Sequence, residues 1–357
     1  MTPHTTILVH PGETLAENLE FLKISQKDLA IRTDLSEKHI SQIINGSASI
    51  SPETALRFER VLGIKASFWN NLEKNYQECL ARIEQEKLID AEEQHLNQFP
   101  CYNELVSLGF VRKTRVKRER VLALLDFFKV QSLSLVPLST GVNYRETGKK
   151  STEQNIFCLA AWIRCGQITA ERTPVKEFDE KKLRVNLSKF RELTKEPNFE
   201  DKLKELCAEI GIVTVLMPKF GKTKINGATF WFRDNPIVQL NEKGKRKDII
   251  WFTFFHELGH ILKHGKKDLF IEFEKSLDER EKEADEFAEN TLIPKADYES
   301  WAKDINFEEL SMRGIAQEVT SFAKKVDIGV AVVAGRLAHT GDLHWSKVNG
   351  LREHISF

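Results

Sequence analysis

The stretch Ile249-Ile250-Trp251-Phe252-Thr253-Phe254-Phe255-His256-Glu257-Leu258-Gly259-His260-Ile261-Leu262 decides how the second half of this chain folds. It is apolar around nearly the whole helical circumference, and a helix of that kind is buried. Two imidazoles and a carboxylate set inside it need partners, because burying polar groups unpaired costs several kcal/mol. His256 and His260 are four residues apart and share one face, the spacing at which two imidazoles bind one tetrahedral zinc ion. Glu257 can hydrogen-bond the attacking water from the side, as a general base that later passes the proton to the leaving amine. Gly259 costs about 1 kcal/mol relative to alanine inside a helix, which predicts that something crowds that spot.

A catalytic zinc takes a third protein ligand and keeps one position open. Downstream, Glu281-Lys282-Glu283-Ala284-Asp285-Glu286-Phe287-Ala288-Glu289-Asn290-Thr291-Leu292 separates by helical spacing into two stripes. Glu281, Ala284, Asp285, Ala288 and Leu292 share the inner face, while Glu279, Lys282, Glu283, Glu286 and Asn290 belong to the wetter side. Glu281 is the expected third ligand and Glu283 the fallback. Asp285, one turn on, is expected to orient one of the histidines. Upstream, Ile212–Leu216, Gly227–Phe232 and Ile237–Leu240, with a turn at Arg233–Pro236, carry strand signals. The strand Gly227–Phe232 is expected to present an edge on which an extended substrate could pair.

These residues resemble the ImmA/IrrE metallopeptidases. The resemblance rests on Phe252-Thr253-Phe254-Phe255-His256-Glu257-Leu258-Gly259-His260, then Glu281-x-x-Ala284-Asp285-x-Phe287-Ala288, then Leu292-Ile293-Pro294, over about residues 206–340. It implies an α+β, zincin-like domain with a small sheet, a zinc ion held by His256, His260 and Glu281, and Glu257 as catalytic base. It also implies cleavage of repressors or other regulatory proteins. It does not identify an oxyanion-stabilising residue; His264, Tyr298 and His339 are candidates, each with a plain structural or surface role as the alternative.

At the other end of the chain the pattern is all-helical. Pro11 and Glu13 suit a helix start, with Leu15, Leu19 and Leu22 on one face. Ser25, Ser36 and Ser51 are N-cap candidates for three further short helices. The fourth of these helices is expected to bury Ala55, Leu56, Phe58, Val61 and Leu62. The second and third form a helix-turn-helix pair, whose second member would enter the major groove. Gln42 can pair with adenine and Lys38 can reach guanine. Ser36 and His39 sit at the same helix start, and Gln26 is placed near the DNA backbone. His10-Pro11-Gly12-Glu13, Ser25-Gln26-x-x-Leu29-Ala30, Ile40-Ser41-x-Ile43-Ile44-Asn45-Gly46, Thr54-Ala55-Leu56-Arg57 and Phe68-Trp69-x-x-Leu72 look like the HigA-type antitoxins, within the Cro/repressor-like class. What this resemblance implies is operator DNA binding as a homodimer, autoregulation, and control of a cognate toxin.

With 357 residues the chain is long for one core, and the expected division is threefold. Residues 1–83 form a helix-turn-helix domain, 84–205 a helical linker or partner domain, and 206–357 the metallopeptidase domain. The 53 basic and 53 acidic residues cancel, so any nucleic-acid contact must come from a local surface. Five scattered cysteines, never spaced Cys-x-x-Cys, read as thiols of a reducing compartment, and the expected location is the cytoplasm. No apolar run approaches the roughly 20 residues of a membrane span, and Met1–Val9 lacks an export pattern, so no membrane partner is expected. The basic run Arg112–Arg120 is expected to be a solvated helix face, and Ile315–Leu337 to serve packing or partner binding. The favoured reading is an antitoxin-like regulator carrying an active zinc peptidase that cleaves a cognate toxin or repressor. Its rivals are a non-catalytic antitoxin that binds a toxin and represses its own operon, and a protease whose N-terminal module only dimerises.

Overall fold

Side-chain caps set where the N-terminal helices begin. In α1 (Pro11–Leu22) the His10 Nδ1 accepts from the Gly12 N–H at 2.8 Å, and Pro11 takes the first turn, where its missing N–H costs nothing. In α2 (Gln26–Thr33), α3 (Glu37–Ile44) and α4 (Pro52–Leu62) a serine hydroxyl accepts from the backbone three residues on. The Ser25–Asp28, Ser36–His39 and Ser51–Thr54 caps measure 3.0, 3.1 and 3.1 Å, and each contributes about 1 kcal/mol. Lys23 and Asp34, at φ 56° and 55°, reverse the chain after α1 and α2. The long helix α5 (Ala66–Ala91) follows, and Trp69 from it joins Leu15, Leu29, Ile40, Ile43, Ala55 and Phe58 in one core. Leu56, expected inside, is 61% exposed. The buried stripe of α4 runs through Ala55, Phe58 and Leu62, at helical spacings that Leu56 does not share.

The computed structural model describes residues 9–140, 153–218, 220–221, 223, 225–241, 246–264, 270–273 and 279–355. Two compact units result, 1–93 and 94–357. The second is built on a mixed sheet of β1 (Val213–Met217), β2 (Ile225–Phe232), β3 (Asn235–Asn241) and β4 (Phe270–Phe273), in the order β1-β3-β2-β4. β1 runs parallel to β3, and β2 runs antiparallel to both β3 and β4. The hairpin between β2 and β3 turns at Arg233, with φ 56°. Pro236, expected in that turn, lies inside β3 opposite Trp231. It sits one residue before the first β1 pair, Val213–Ile237, so its missing N–H breaks no rung of that ladder. β2 does not offer the edge expected of it. β3 pairs with it on one side and β4 on the other, through Ala228–Ile271 and Thr229–Phe270.

A strand as uniformly apolar as Ile212–Leu216 demands cover on both faces. One face receives the helix Lys247–Lys263, which carries the histidine motif and shares a core with Ile212, Val238 and Leu240. The other face, through Val213, Val215, Met217 and Ile237, receives the helix Glu153–Arg172 with Ile156, Leu159 and Trp162. Gln239 fixes that contact by donating from Nε2 to the Trp162 carbonyl at 2.8 Å. A Cβ on Gly166 would lie 2.0 Å from the Gln239 Oε1, so a side chain there would displace the Gln239 amide. The helical segment expected as a separate middle domain over 84–205 is therefore divided. Its start completes α5 and the 3₁₀ helix Glu92–Gln98, and the remainder packs in both cores of the sheet, Phe99–Ala170 in the one with the helix Glu153–Arg172 and Leu183, Phe190, Phe199 and Leu203 in the one with the motif helix. Of the loop expected over Val136–Thr152, Val136–Ser139 form one helical turn, and residues 141–152 lie outside the described residues.

Among the described residues one stretch, Lys117–Ser139, is long and apolar enough by composition to cross a membrane, contrary to the expectation from the sequence. It is not one helix. The helix Lys117–Phe128 ends at Lys129, φ 56°, and Leu133–Leu135 and Val136–Ser139 follow as separate short helices. Twelve helical residues reach about 18 Å, short of a bilayer core of about 30 Å.

Candidate functional site

The motif helix is buried along most of its length, and His256, Glu257 and His260 are 1%, 0% and 1% exposed. Its N-terminal end is clamped by the C-terminal segment. Lys247 donates its N–H to the Glu353 carbonyl at 3.0 Å, and Asp248 pairs with Arg352, Nη2 to Oδ2 2.6 Å. Gly259 answers the question its cost raises. A Cβ there would lie 3.1 Å from the Ala284 Cα, so the glycine lets the acidic helix Glu279–Leu292 lie directly on the motif helix. That approach carries Glu281 to the histidines.

His256 Nε2 and His260 Nε2 are 2.9 Å apart, and the Glu281 carboxylate lies 3.2 Å from the first and 3.5 Å from the second. One donor atom from each of the three falls within 4.8 Å of the others. Two nitrogens and a carboxylate oxygen so placed form a candidate metal site of the composition zinc takes in peptidases. The outward ring nitrogens are also engaged. His256 Nδ1 meets Asp285 Oδ1 at 2.8 Å, and His260 Nδ1 meets His264 Nδ1 at 3.0 Å. Such contacts aim Nε2 of each ring at the common centre. Glu257 lies against β2, whose Thr229 hydroxyl donates to the Glu257 carbonyl at 3.3 Å. A Cβ on Gly227 would come 2.6 Å from the Glu257 Oε1, so the strand floor and the carboxylate are in close contact.

Burial, followed by the nearby His256, His264 and Arg280, pushes His260 down from 6.5 to about 2, so its ring is neutral, the form that ligates metal. The unfolded chain takes up a proton below about pH 6.5 that the folded ring refuses down to about 2. Stability of the metal-free protein should therefore be unaffected by this group at neutral pH and fall as pH drops below 6.5. Urea midpoints measured between pH 8 and pH 5 with a chelator present check this, and a His260→Gln variant should show a weaker decline.

Glu283, the fallback ligand, does not reach the centre; its Oε2 lies 3.3 Å from the His264 Nε2. His264, a candidate oxyanion donor, stands behind His260 and not on the open side. Tyr298 is buried and donates to Asp342 Oδ2 at 2.6 Å, and burial raises its phenol pKa. Both serve structure. The third candidate, His339, stacks its ring on Phe252 with centroids 6.1 Å apart.

In the first unit, Gln26 at the start of α2 and Ser36 and Lys38 at the start of α3 are exposed, and His39 and Gln42 within α3 are half-buried. The Ser36 oxygen accepts the cap bond from His39, which leaves its hydroxyl proton for an outside acceptor. The turn between α2 and α3 is held by Arg57, whose Nη1 donates to the Thr33 and Asp34 carbonyls at 2.8 and 2.7 Å.

A family described as IrrE N-terminal-like domain, of the peptidase class, matches residues 207–337, and a helix-turn-helix family matches residues 17–69. Virulence-associated protein I of Dichelobacter nodosus is 37% identical over 82 residues, 22% of this chain and 72% of that protein. The chain belongs to the helix-turn-helix family and carries an IrrE N-terminal-like domain. The uncharacterized HTH-type transcriptional regulator YddM of Escherichia coli is 29% identical over 80 residues, 22% of this chain and 81% of that protein. A solved structure of the Pseudomonas aeruginosa antitoxin HigA with the higBA promoter is 32% identical, covers 23% of this chain and 91% of its own, and superposes with a TM-score of 0.22.

In the unit 94–357, one feature escapes sequence reasoning. The Asp248–Arg352 pair joins residues 104 apart in sequence, and no local pattern announces it. The Glu283–His264–His260 chain could have been found, since His264 follows His260 by one further helical turn. In the helix-turn-helix domain, Arg57 carries no signal of its role beyond its place on α4.

Proposed function

We propose that the chain is an antitoxin-like regulator that binds operator DNA as a homodimer through α3, and that its IrrE-like domain is a zinc peptidase acting in the cytoplasm on one cognate toxin or repressor. The observation that carries the enzymatic half is the convergence of His256 Nε2, His260 Nε2 and the Glu281 carboxylate beside a fully buried Glu257. A site with only a structural task has no use for a base at that position, which favours activity over a purely neutralising antitoxin. His256, His260 and Glu281 would hold the zinc, which would supply Lewis acidity to the reaction. Glu257 accepts the proton of the attacking water as its oxygen bonds the carbonyl carbon, then returns it to the amide nitrogen as the C–N bond breaks. Asp285 and His264 hold the two imidazoles in register through their Nδ1 atoms. Incubating the chain with the product of the adjacent gene, and looking for fragments by mass spectrometry, tests the reading. Digestion of casein at a comparable rate would refute a dedicated regulatory protease.

For the DNA half, Lys38 and Gln42 are the expected base readers, with Gln26, Ser36 and His39 at the backbone and groove edge. A good bidentate base pair contributes about 1–3 kcal/mol of discrimination. Lys38→Ala with Gln42→Ala should erase the footprint on an inverted repeat in the chain's own promoter while leaving the circular dichroism spectrum intact. Wild-type binding should weaken steeply with salt. An unchanged footprint in the double variant would mean that another surface reads the operator.

A further inference from the structure

The basic run Arg112–Arg120, expected as a solvated helix face, is only partly helical. Arg112–Val116 form a loop, and the helix begins at Lys117. Residues 105–125 hold the cations Arg112, Lys113, Arg115, Lys117, Arg118 and Arg120 against a single acid, Glu119. In a chain whose charges cancel, that is a pronounced local excess. The loop is pinned from its inner side. Tyr102 donates its hydroxyl to the Arg112 carbonyl at 2.8 Å. Arg120 donates from Nε to the Thr114 carbonyl at 3.0 Å, and its guanidinium lies 5.0 Å over the Tyr102 ring. Thr114, half-buried, gives its hydroxyl proton to Glu119 at 2.5 Å and accepts from the Val116 N–H at 3.2 Å. The one acid at hand is therefore engaged, by Thr114 and by Arg112 at 3.6 Å.

Lys113, Arg115 and Lys117 stand apart from this scaffold. All three are exposed, and their side chains make no hydrogen bond or ion pair among the described residues. Elsewhere in the same unit cations meet an acid one helical turn away, as Lys182 meets Asp179, Arg184 meets Glu180 and Lys295 meets Glu299. Three like charges gathered so closely repel one another, and a polyanion relieves that repulsion. The side chains that fix the loop are thus distinct from those that leave charge on its surface. A fixed row of unneutralised cations matches a row of phosphates, and the chain carries a helix-turn-helix domain. Once that domain is on DNA, a further contact from the same chain forms at a raised effective concentration. Resting on the operator-binding reading above, we infer that Lys113, Arg115 and Lys117 are a second nucleic-acid contact, on the 94–357 unit, that grips DNA phosphates. Such contacts add affinity and carry no sequence information.

Salt dependence tests this on the full chain. Binding to a duplex from the chain's own promoter, and to a scrambled duplex of equal length, is followed by fluorescence anisotropy between about 50 and 200 mM salt. Each phosphate contact adds about 0.9 to the slope of log affinity against log salt. Lys113→Gln with Arg115→Gln and Lys117→Gln should therefore lower the slope by about 2 to 3 for each protomer engaged. Both duplexes should weaken by the same factor, roughly tenfold or more at the low-salt end. The melting temperature should stay at the wild-type value, because the residues that pin the loop remain. Removing the exposed cations Lys189, Lys204 and Lys325 of the same unit in the same way should leave the slope unchanged. An unchanged slope in the loop variant overturns the contact and leaves operator binding through α3 standing. If that variant instead loses binding to polyglutamate, the loop belongs to an acidic protein, and the proposal falls. Equal falls in the loop variant and the control reduce the effect to bulk charge and overturn it too. A loss confined to the promoter duplex overturns the assignment to phosphates. A wild-type chain that binds neither duplex overturns both this inference and the reading it rests on.

Discussion

Glu257→Gln should leave the zinc content of the purified chain unchanged and lower its rate of partner cleavage by a factor on the order of 100 to 10,000, the contribution of a well-placed general base. The two effects separate because Glu257 is not among the converging donors. Those come from His256, His260 and Glu281, whereas the Glu257 carboxylate lies against β2 at Gly227. Glutamine keeps the shape and cannot take up the proton. Glu281→Ala should do the reverse and release the metal, because removing one of three protein ligands leaves two imidazoles to hold it. Glu283→Ala should retain it, since that carboxylate meets His264 and not the centre. Atomic-absorption zinc content and fragment yield, measured on the same preparations, check all three. Full zinc in Glu281→Ala together with loss in Glu283→Ala would show that the other glutamate is the ligand.

Arg352→Ala should destabilise the 94–357 unit by about 3–5 kcal/mol, the cost of stranding one member of a buried ion pair. Arg352 and Asp248 side chains are 7% and 6% exposed, and the guanidinium binds the carboxylate through both Nε and Nη2, at 2.7 and 2.6 Å. Gly335 makes the pair possible, because a Cβ there would lie 2.6 Å from the Asp248 Cβ. For a domain of this size the loss corresponds to a fall in melting temperature on the order of 10 °C. Replacing both charges, as Asp248→Asn with Arg352→Leu, should cost less than Arg352→Ala alone, since no charge is then left buried. Breaking the exposed Lys347–Glu308 pair should not move the transition measurably. Calorimetric scans of the four proteins compare these effects, and an Arg352→Ala transition at the wild-type temperature would show that the tail does not clamp the motif helix.

These two results draw on information of different kinds. The three converging side chains and the carboxylate beside them were legible because they obey local rules. His256 and His260 share a face by helical period, Glu281 and Asp285 follow from the stripe of Ala284 and Ala288, and Gly259 marks the close approach of that stripe. The starts of α2, α3 and α4 were legible for the same reason, since a serine cap acts over three residues. β4 was not, because Phe270–Phe273 is short and takes its place only by pairing with β2. That pairing removes the edge β2 would otherwise present.

Sequence alone determined what is short-range here: which serines begin α2, α3 and α4, which side chains share a face, and which three groups can meet around one ion. The tertiary structure decided everything that depends on contacts across long stretches of chain. It assigned the helix Glu153–Arg172 to one face of the sheet and the motif helix to the other, merging what the sequence suggests are two domains. It placed His264 behind His260, and Asp248 against Arg352. The physical reason is that hydrophobic burial is non-directional. An apolar face states only that it must be covered, and which partner covers it is settled when the whole chain packs.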